Sequence, residues 1–275
     1  MLTDYHVHLR PDERDARFAD AFSADNVERY RAAATAAGIE ELGVSEHIHR
    51  FVQSLAIWDH PFWREQATDD IDAYCAYVRE ETDLRLGLEV DFVPGREDLT
   101  QSLIDRCDLD YVVGSVHFLG DLAVDWERFD VWEHARSADE VWRRYFETLA
   151  AAARSGMFDI LAHPDLVKMW GVDRPPPDGE LLRYYEPALE AIAETGIAVE
   201  VSTAGLRKPV GEIYPSPVFL EHALASGAPV ALSSDAHIPE HVGFAYDRAL
   251  ALLDSLGVRE LALFDRRERR LEPIG

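Results

Sequence analysis

The chain has 275 residues, 47% of them hydrophobic, which is enough for one large α/β domain with a packed core. Its 52 acidic residues outnumber 27 basic ones, and the formal net charge of -25 disfavours long nucleic acids, whose phosphates bind clusters of exposed Lys and Arg. No apolar run reaches the ~18 residues of a membrane helix, and the first residues lack the basic and apolar regions of a signal peptide, so we expect a cytoplasmic protein without membrane contact.

Strand-like and helix-like segments alternate along the whole chain. The apolar runs predict seven strands, over residues 2–9, 41–47, 84–92, 111–118, 159–163, 197–202 and 230–233, with a further strand candidate over 258–264. Helical periodicity predicts intervening helices over residues 27–37, 138–154, 181–195, 218–225 and 248–256. This alternation is typical of parallel βα units. With no Gly/Ser-rich linker, it predicts one α/β domain over residues 1–275, a closed or nearly closed TIM-barrel-like (β/α) barrel; an open doubly wound sheet is the alternative.

Cysteine is rare in this sequence. Cys75 and Cys107 are the two cysteines, too few for the disulfide framework of a small secreted domain. We therefore expect two reduced, buried thiols, in keeping with the cytoplasmic location.

Six of the seven predicted strands end in, or run directly into, residues that can bind a metal ion. In chain order these residues are His6, His8, Glu46, His47, Glu89, His117, His163, Asp235 and His237. Side chains two apart in a strand point to the same face, so His6 and His8 project together, as would Asp235 and His237 if the chain stays extended. The C-terminal strand ends are also where βα barrels carry their active sites.

Each of these motifs alone has an ordinary structural explanation, such as a hydrogen-bonded core histidine or a salt bridge. Their repetition at equivalent strand ends favours a metal cluster. Imidazoles and carboxylates without thiolates suit Zn, Fe or Mn, and the donors outnumber what one ion binds, so we expect two or three divalent ions with Glu89 as the bridging carboxylate. The remaining histidines look like background: His49, His60, His134, His222 and His241.

The ordered set of motifs resembles the polymerase-and-histidinol-phosphatase (PHP) superfamily of metal-dependent phosphoesterases. The motifs are Asp4-Tyr5-His6-Val7-His8, Ser45-Glu46-His47, Gly87-Leu88-Glu89, Gly114-Ser115-Val116-His117, Ala162-His163-Pro164-Asp165 and Ser234-Asp235-Ala236-His237. The resemblance runs the whole length of the chain. It implies a distorted seven-stranded βα barrel with a trinuclear metal site.

The resemblance also implies a ligand set for each ion. One ion would take His6, His8, Glu89 and Asp235. A second would share Glu89 and add His117 and His163. The third would take His47, His237 and a residue shortly after the first motif, for which family spacing favours Asp15, with Asp12 and Glu13 as competitors.

The segment Val201-Ser202-Thr203-Ala204-Gly205-Leu206-Arg207-Lys208, followed by Tyr214-Pro215-Ser216, is similar to the histidinol-phosphate phosphatase branch. In that branch the Gly-Leu-Arg-Lys segment lies beside the phosphate, which implies phosphate binding by Arg207 and Lys208, with Arg50 nearby. The alternative is a solvated basic turn. The branch commonly has Asn where this chain has Ser202.

The expected activity is hydrolysis of a small phosphorylated metabolite, with Glu89, His117 and Asp235 as the catalytic residues and a metal-bridging hydroxide as the nucleophile. The organic part of the substrate could stack on aromatic side chains in the connection after the second predicted strand. The candidates for stacking on an imidazole are Phe51, Trp58, Phe62 and Trp63, and the alternative is that they pack this connection against the barrel. Candidates for an ammonium partner are Asp165 and Glu212. Two other functions stay open, a phosphoesterase for mononucleotides or other small esters and a non-catalytic metal-binding module.

Overall fold

Seven parallel strands form the centre of the computed structural model, which describes residues 1–12 and 18–275. They lie side by side in chain order: β1 Thr3–Asp4, β2 Glu41–His47, β3 Arg85–Asp91, β4 Tyr111–Ser115, β7 Ile160–Leu161, β8 Ala198–Ser202 and β9 Val230–Ser233. Every neighbouring pair is parallel. The predicted seven-stranded parallel arrangement is confirmed.

The first and last strands meet through the segments that follow them. Val7 and Ala236 form a parallel bridge, the His8 amide donates to the Ala236 carbonyl at 2.8 Å, and the Ala236 amide donates to the His6 carbonyl at 3.1 Å. The sheet is therefore a nearly closed barrel, and the open doubly wound alternative is wrong.

Helices connect and cover the strands. They are α1 Phe18–Ala21, α2 Ala24–Ala36, α3 Pro61–Gln66, α4 Ile71–Glu81, α5 Glu97–Ile104, α6 Val131–His134, α7 Ala138–Arg154, α8 Leu182–Thr195, α9 Pro217–Ala225 and α10 Tyr246–Ser255. Two antiparallel hairpins form sheets of their own, β5 Phe118–Leu119 with β6 Leu122–Ala123, and β10 Glu260–Asp265 with β11 Glu268–Pro273. The further strand candidate is thus a strand, in a separate hairpin. Among these described helices, none has the length and apolarity to span a membrane.

Small residues let the barrel strands accept large neighbours. A Cβ on Gly87 would lie 2.4 Å from the Tyr111 ring, and one on Gly114 would lie 2.3 Å from the Phe158 ring. Both aromatic side chains are buried, and Tyr111 also packs against Tyr5 with 4.8 Å between ring centroids. Apolar packing therefore fills this part of the interior and leaves the C-terminal strand ends for polar side chains.

The two cysteines form a disulfide, so the expectation of two reduced, buried thiols is wrong. Cys75 on α4 and Cys107 just after α5 have Cα atoms 6.1 Å apart, and both side chains are only partly buried. Such a distance lies in the usual disulfide range. The two cysteines are 32 residues apart in the sequence, and cysteine counting does not reveal a tertiary contact of this kind.

We predict that the purified protein has no free thiol before reduction. Replacing both cysteines, Cys75→Ser with Cys107→Ser, should lower the free energy of unfolding by about 3–4 kcal/mol, the chain-entropy value for a loop of this length. Thiol titration under denaturing, non-reducing conditions and chemical denaturation measure the two effects. Two titratable thiols in unreduced protein would contradict the prediction.

Candidate metal centre and phosphate site

A buried carboxylate, Glu89, lies at the centre of the polar strand ends. It stands near the end of β3, and its side chain is 1% exposed. Five imidazoles have a nitrogen within 3.6 Å of its oxygens, those of His6, His8, His47, His117 and His163. The shortest of these distances is 2.5 Å, from Oε2 to His47 Nδ1. Two strands, β2 and β3, and the segments that follow β1, β4 and β7 thus bring their predicted ligands to one point.

The loop after β9 adds the last two predicted ligands. Asp235 Oδ1 lies 3.6 Å from His8 Nε2, and His237 Nε2 lies 3.3 Å from His47 Nε2. Asp235 has a φ of 50°, so the chain does not stay extended here. His237 Nδ1 nevertheless lies 3.5 Å from Asp235 Oδ1. A left-handed turn, and not strand alternation, places this pair.

His163 has the same kind of unusual backbone, with a φ of 25°. Non-glycine residues in this region carry a conformational cost that the surrounding structure must offset. Both left-handed residues of the cluster, His163 and Asp235, stand where the chain leaves a barrel strand. The strain accompanies the turning of these two side chains toward Glu89.

Three groups of donor atoms each lie within 4.8 Å of one another. They are His8 with His47 and His237, His6 with His8 and Asp235, and His6 with Glu89 and His163. Glu89 Oε2, His6 Nε2 and both ring nitrogens of His8 are buried, and their close contacts with described residues do not have the geometry of hydrogen bonds. Buried polar atoms without partners are costly, and imidazole nitrogens with carboxylates are ligands for divalent transition metals. The donor set therefore fits metal ions.

The protonation tendencies of Glu89, His8 and His47 agree with this use. His6 differs, because burial lowers its pKa but Glu89 and Glu200 outweigh burial and raise the pKa well above the ordinary histidine value. Burial opposes ionisation of Glu89, but the imidazoles of His47 and His6 outweigh it and hold the pKa of Glu89 well below its usual value. Burial lowers the pKa values of His8 and His47 well below the ordinary histidine value. An anionic carboxylate and neutral imidazoles are the forms that bind metals.

Two carboxylates behind the ligands were not predicted from the sequence. Glu200 of β8 accepts hydrogen bonds from the His163 amide at 2.5 Å and the Ser233 hydroxyl at 2.7 Å, and its Oε1 lies 2.7 Å from His6 Nδ1. Its side chain is buried within the apolar strand Ala198–Ser202. In the sequence, Glu200 is a lone acidic residue within an apolar strand, and this pattern could have indicated a buried functional carboxylate.

Asp91 supports the other side of the cluster. Its Oδ1 lies 2.7 Å from His117 Nδ1, and its Oδ2 lies 3.4 Å from His49 Nδ1. Burial alone would lower the pKa of His117, but Asp91 and Glu89 together raise it to about 10. His49, expected to be background, stacks on His47 with ring centroids 4.6 Å apart. All five histidines of that background group, His49 included, are absent from the three groups of donor atoms among the described residues.

The third-ion position is only partly described. Asp15 and its competitor Glu13 lie outside the described residues. The other competitor, Asp12, has Oδ1 3.2 Å from His237 Nε2 and accepts a hydrogen bond of 2.8 Å from Arg50. Asp15 stays a prediction.

A cavity of about 300 Å³ opens beside the cluster, and the expected substrate-binding residues occupy different places around it. Lys208 lines it and is exposed, and its ammonium makes no hydrogen bond or ion pair with another described residue. Arg207 stands behind the wall and donates Nη2 hydrogen bonds to the carbonyls of Ser234 and Asp235 at 2.8 and 2.9 Å. Its Nη1 is buried without a partner in the described chain.

Arg50 also lines the cavity, but its guanidinium is largely engaged. It donates to Glu46 Oε2 at 2.6 Å, to the Arg10 carbonyl at 2.5 Å and to Asp12. Glu46, in turn, accepts the amides of Leu9 and Arg10. These contacts fix the segment that follows His8, and the expected contact of Arg50 with substrate stays a prediction.

Comparison with known proteins decides the family. A family model described as PHP domain matches residues 15–204. The chain belongs to the PHP domain family. The resemblance inferred from the ordered motifs is confirmed, and the barrel described above is the PHP fold.

The PHP chain is similar to histidinol-phosphatases over most of its length. The "Probable histidinol-phosphatase" of Deinococcus radiodurans is 36% identical over 250 residues, which cover 89% of this chain and 91% of the relative. The "Histidinol-phosphatase" of Bacillus subtilis is 27% identical over 268 residues, which cover 90% of this chain and 97% of the relative.

A solved structure shares the fold of this PHP chain. It is histidinol phosphate phosphatase from Lactococcus lactis subsp. lactis, complexed with zinc, L-histidinol and phosphate. It matches with a TM-score of 0.71 and 20% sequence identity, and the match covers 98% of each chain.

We predict that Glu200→Gln weakens metal binding by about 10- to 100-fold, because Glu200 orients His6 and the backbone of His163, and loss of such supporting groups has effects of this size. Competition with a chelator, followed by metal analysis, measures the change. Glu221→Gln, on the exposed face of α9, is the control and should bind metal as the unmodified protein does. Equal affinities in all three proteins would show that Glu200 does not support the site.

Proposed function

We propose that this protein is a metal-dependent phosphomonoesterase that hydrolyses L-histidinol phosphate to L-histidinol and phosphate. The observation that carries the proposal is the buried ring of imidazoles and carboxylates around Glu89, beside a cavity, in a chain that aligns with histidinol-phosphatases along 89% of its length. We further infer a role in histidine biosynthesis, a cytoplasmic location and a single catalytic domain over residues 1–275. One hydrophobic core that includes residues from Tyr5 to Phe264 supports the single domain.

We assign two or three divalent ions, of zinc, iron or manganese, to this site. His6, His8, Glu89 and Asp235 would hold one, and Glu89 with His117 and His163 the second. His47, His237 and Asp15 would hold the third. When bound, such ions supply Lewis acidity and lower the pKa of water, which suits the hydrolysis of a phosphate ester.

The chain's own residues have separate tasks in this proposal. Glu89, His117 and Asp235 keep the reacting centre fixed, because each contacts several other groups of the cluster. Lys208 would neutralise the phosphate as a point charge, and Arg207 would add positive charge from behind the cavity wall, where its Nη1 is unpartnered among the described residues. The positive charge of the ions and these side chains accounts for an anionic substrate in a protein of net charge -25.

The expected ammonium partners are engaged elsewhere. Asp165 and Glu212 both pair with the ammonium of Lys168, at 3.0 and 3.2 Å. Asp125, in contrast, lines the cavity and has no hydrogen bond or ion pair with a described residue. Burial raises the pKa of Asp125, although His117 and Lys208 act in the opposite direction. A cation near this carboxylate would offset its burial, so we assign the amine of histidinol phosphate to Asp125.

Aromatic side chains surround the same part of the cavity. Phe62, Phe118 and Trp126 line it. Two of the other aromatics considered for stacking, Phe51 and Trp63, are fully buried and pack the loop. The fourth candidate, Trp58, does not line the cavity. We therefore assign the imidazole of the substrate to Phe62, together with Phe118 and Trp126.

A PHP phosphoesterase for a mononucleotide or another small ester is the second candidate. Histidinol phosphate has both a phosphate and an ammonium group, and the proposed site binds both. A mononucleotide has the phosphate, but its ring carries no ammonium to meet Asp125. The non-catalytic alternative is disfavoured by the set of ligands around Glu89, which is complete apart from the position assigned to Asp15.

The activity is tested by ligand substitution. His117→Ala should lower kcat for histidinol phosphate by about two orders of magnitude or more, since it removes a metal ligand. His222→Ala, on α9 outside the three donor groups, should leave kcat unchanged. Phosphate release over histidinol phosphate, nucleoside monophosphates and phenyl phosphate is the assay. Equal losses in both variants, or a preference for nucleotides, would contradict the assignment.

The amine contact gives a second test. Asp125→Asn should lower kcat/KM for histidinol phosphate by about 10- to 100-fold, the value of a hydrogen bond to a charged group. The same variant should hydrolyse phenyl phosphate, which has no amine, at the unmodified rate. Asp121→Asn, in the exposed turn between β5 and β6, is the matched control. An equal loss with both esters would place Asp125 in the chemistry and not in amine recognition.

A further inference from the structure

Tyr214 is held rigidly at the wall of the cavity. Its backbone pairs with that of Ser202 at the end of β8, with hydrogen bonds of 2.7 and 2.9 Å in the two directions. A Cβ on Gly205 would lie 3.0 Å from two carbon atoms of the Tyr214 ring. The ring is fully buried and lies 6.3 Å from the His163 ring, centroid to centroid. Its hydroxyl therefore has little freedom to move.

The hydroxyl of this tyrosine has no hydrogen-bond partner among the described residues, although Tyr214 lines the same cavity as His163 and Lys208. A buried hydroxyl left unpaired destabilises the folded protein. Burial raises the pKa of Tyr214 well above the ordinary tyrosine value, so the group stays protonated at neutral pH and is available as a donor. Tyr214 thus holds one fixed, unsatisfied O–H beside the cavity, and an acceptor of a ligand bound there would satisfy it.

Neighbouring groups indicate which part of a ligand receives this hydrogen bond. Tyr214 closes the segment that begins at Ser202 and carries Arg207, whose Nη1 is likewise buried and unpartnered among the described residues. Lys208 lines the cavity together with Tyr214 and is exposed. A cation and a neutral donor on one wall, with Arg207 behind it, fit an anion with several acceptor oxygens. The carboxylate Asp125 fits the cationic part of the same ligand.

We propose that the Tyr214 hydroxyl donates a hydrogen bond to a phosphoryl oxygen of the bound ester. This inference rests on the proposed function, because it takes the cavity to bind a phosphate monoester. Tyr214 then contributes to binding of the phosphoryl group in every substrate and does not select the alcohol.

The test compares Tyr214→Phe with Tyr111→Phe. Tyr111 is also fully buried with an unpartnered hydroxyl, but it packs against Gly43 and Gly87 of β2 and β3 and does not line the cavity. Tyr214→Phe should weaken inhibition by inorganic phosphate about 10-fold, equivalent to 1.4 kcal/mol, and should lower kcat/KM about equally for histidinol phosphate and phenyl phosphate. Metal content should not change. Tyr111→Phe should match the unmodified protein in all three measurements.

A binding measurement separates this inference from the proposed function. The rise in melting temperature on adding inorganic phosphate to metal-loaded protein should be smaller in Tyr214→Phe than in Tyr111→Phe, whichever ester proves to be the substrate. An unchanged rise, or a loss of kcat/KM confined to histidinol phosphate, would overturn the phosphoryl contact. Failure of the unmodified protein to hydrolyse histidinol phosphate would instead count against the proposed function.

Discussion

The burial of ionisable side chains at one end of an apolar barrel is the constraint on which the rest of the structure depends. Glu89 is 1% exposed, and five imidazoles meet it within 3.6 Å. Removing such groups from water is expensive unless charges and hydrogen bonds compensate for it. The protein keeps several donor atoms without hydrogen bonds, which is the expected condition of a site that metal ions complete.

The surrounding fold serves this cluster in two ways. Parallel strands deliver one or two ligands each, and the left-handed residues His163 and Asp235 turn their side chains inward where the strands end. Buried carboxylates then fix the imidazoles from behind, with Glu200 at His6 and Asp91 at His117. Supporting contacts of this kind set the orientation and basicity of metal-binding histidines.

Much of the barrel could be predicted from the sequence, because strands buried on both faces form short apolar runs. The strand Glu41–His47 and the helix Ala138–Arg154 have the predicted bounds. The first strand was predicted too long, since the chain after Asp4 leaves the regular ladder except at Val7. Residues 5–8 alternate between apolar and polar side chains, as a strand does. In this structure the segment carries predicted metal ligands and, apart from Val7, does not pair as a strand.

The parts that could not be predicted depend on tertiary contacts. The Cys75–Cys107 disulfide joins elements with no common sequence signal. Asp165 pairs with Lys168, whereas Asp125 lines the cavity without a partner among the described residues. The spacing of acidic residues along the chain does not show which of these two carboxylates is free to bind an ammonium group. The repeated ligands at strand ends were visible because the βα architecture imposes their periodic placement, whereas substrate contacts come from irregular loops.

A crystal structure of zinc-loaded protein, with anomalous diffraction recorded at the zinc edge, tests the central claim most directly. The account predicts two or three anomalous peaks around Glu89, each about 2.0–2.2 Å from imidazole nitrogens and carboxylate oxygens of the cluster. A well-ordered cluster with no peak at Glu89, in protein purified and loaded without chelator, would contradict it.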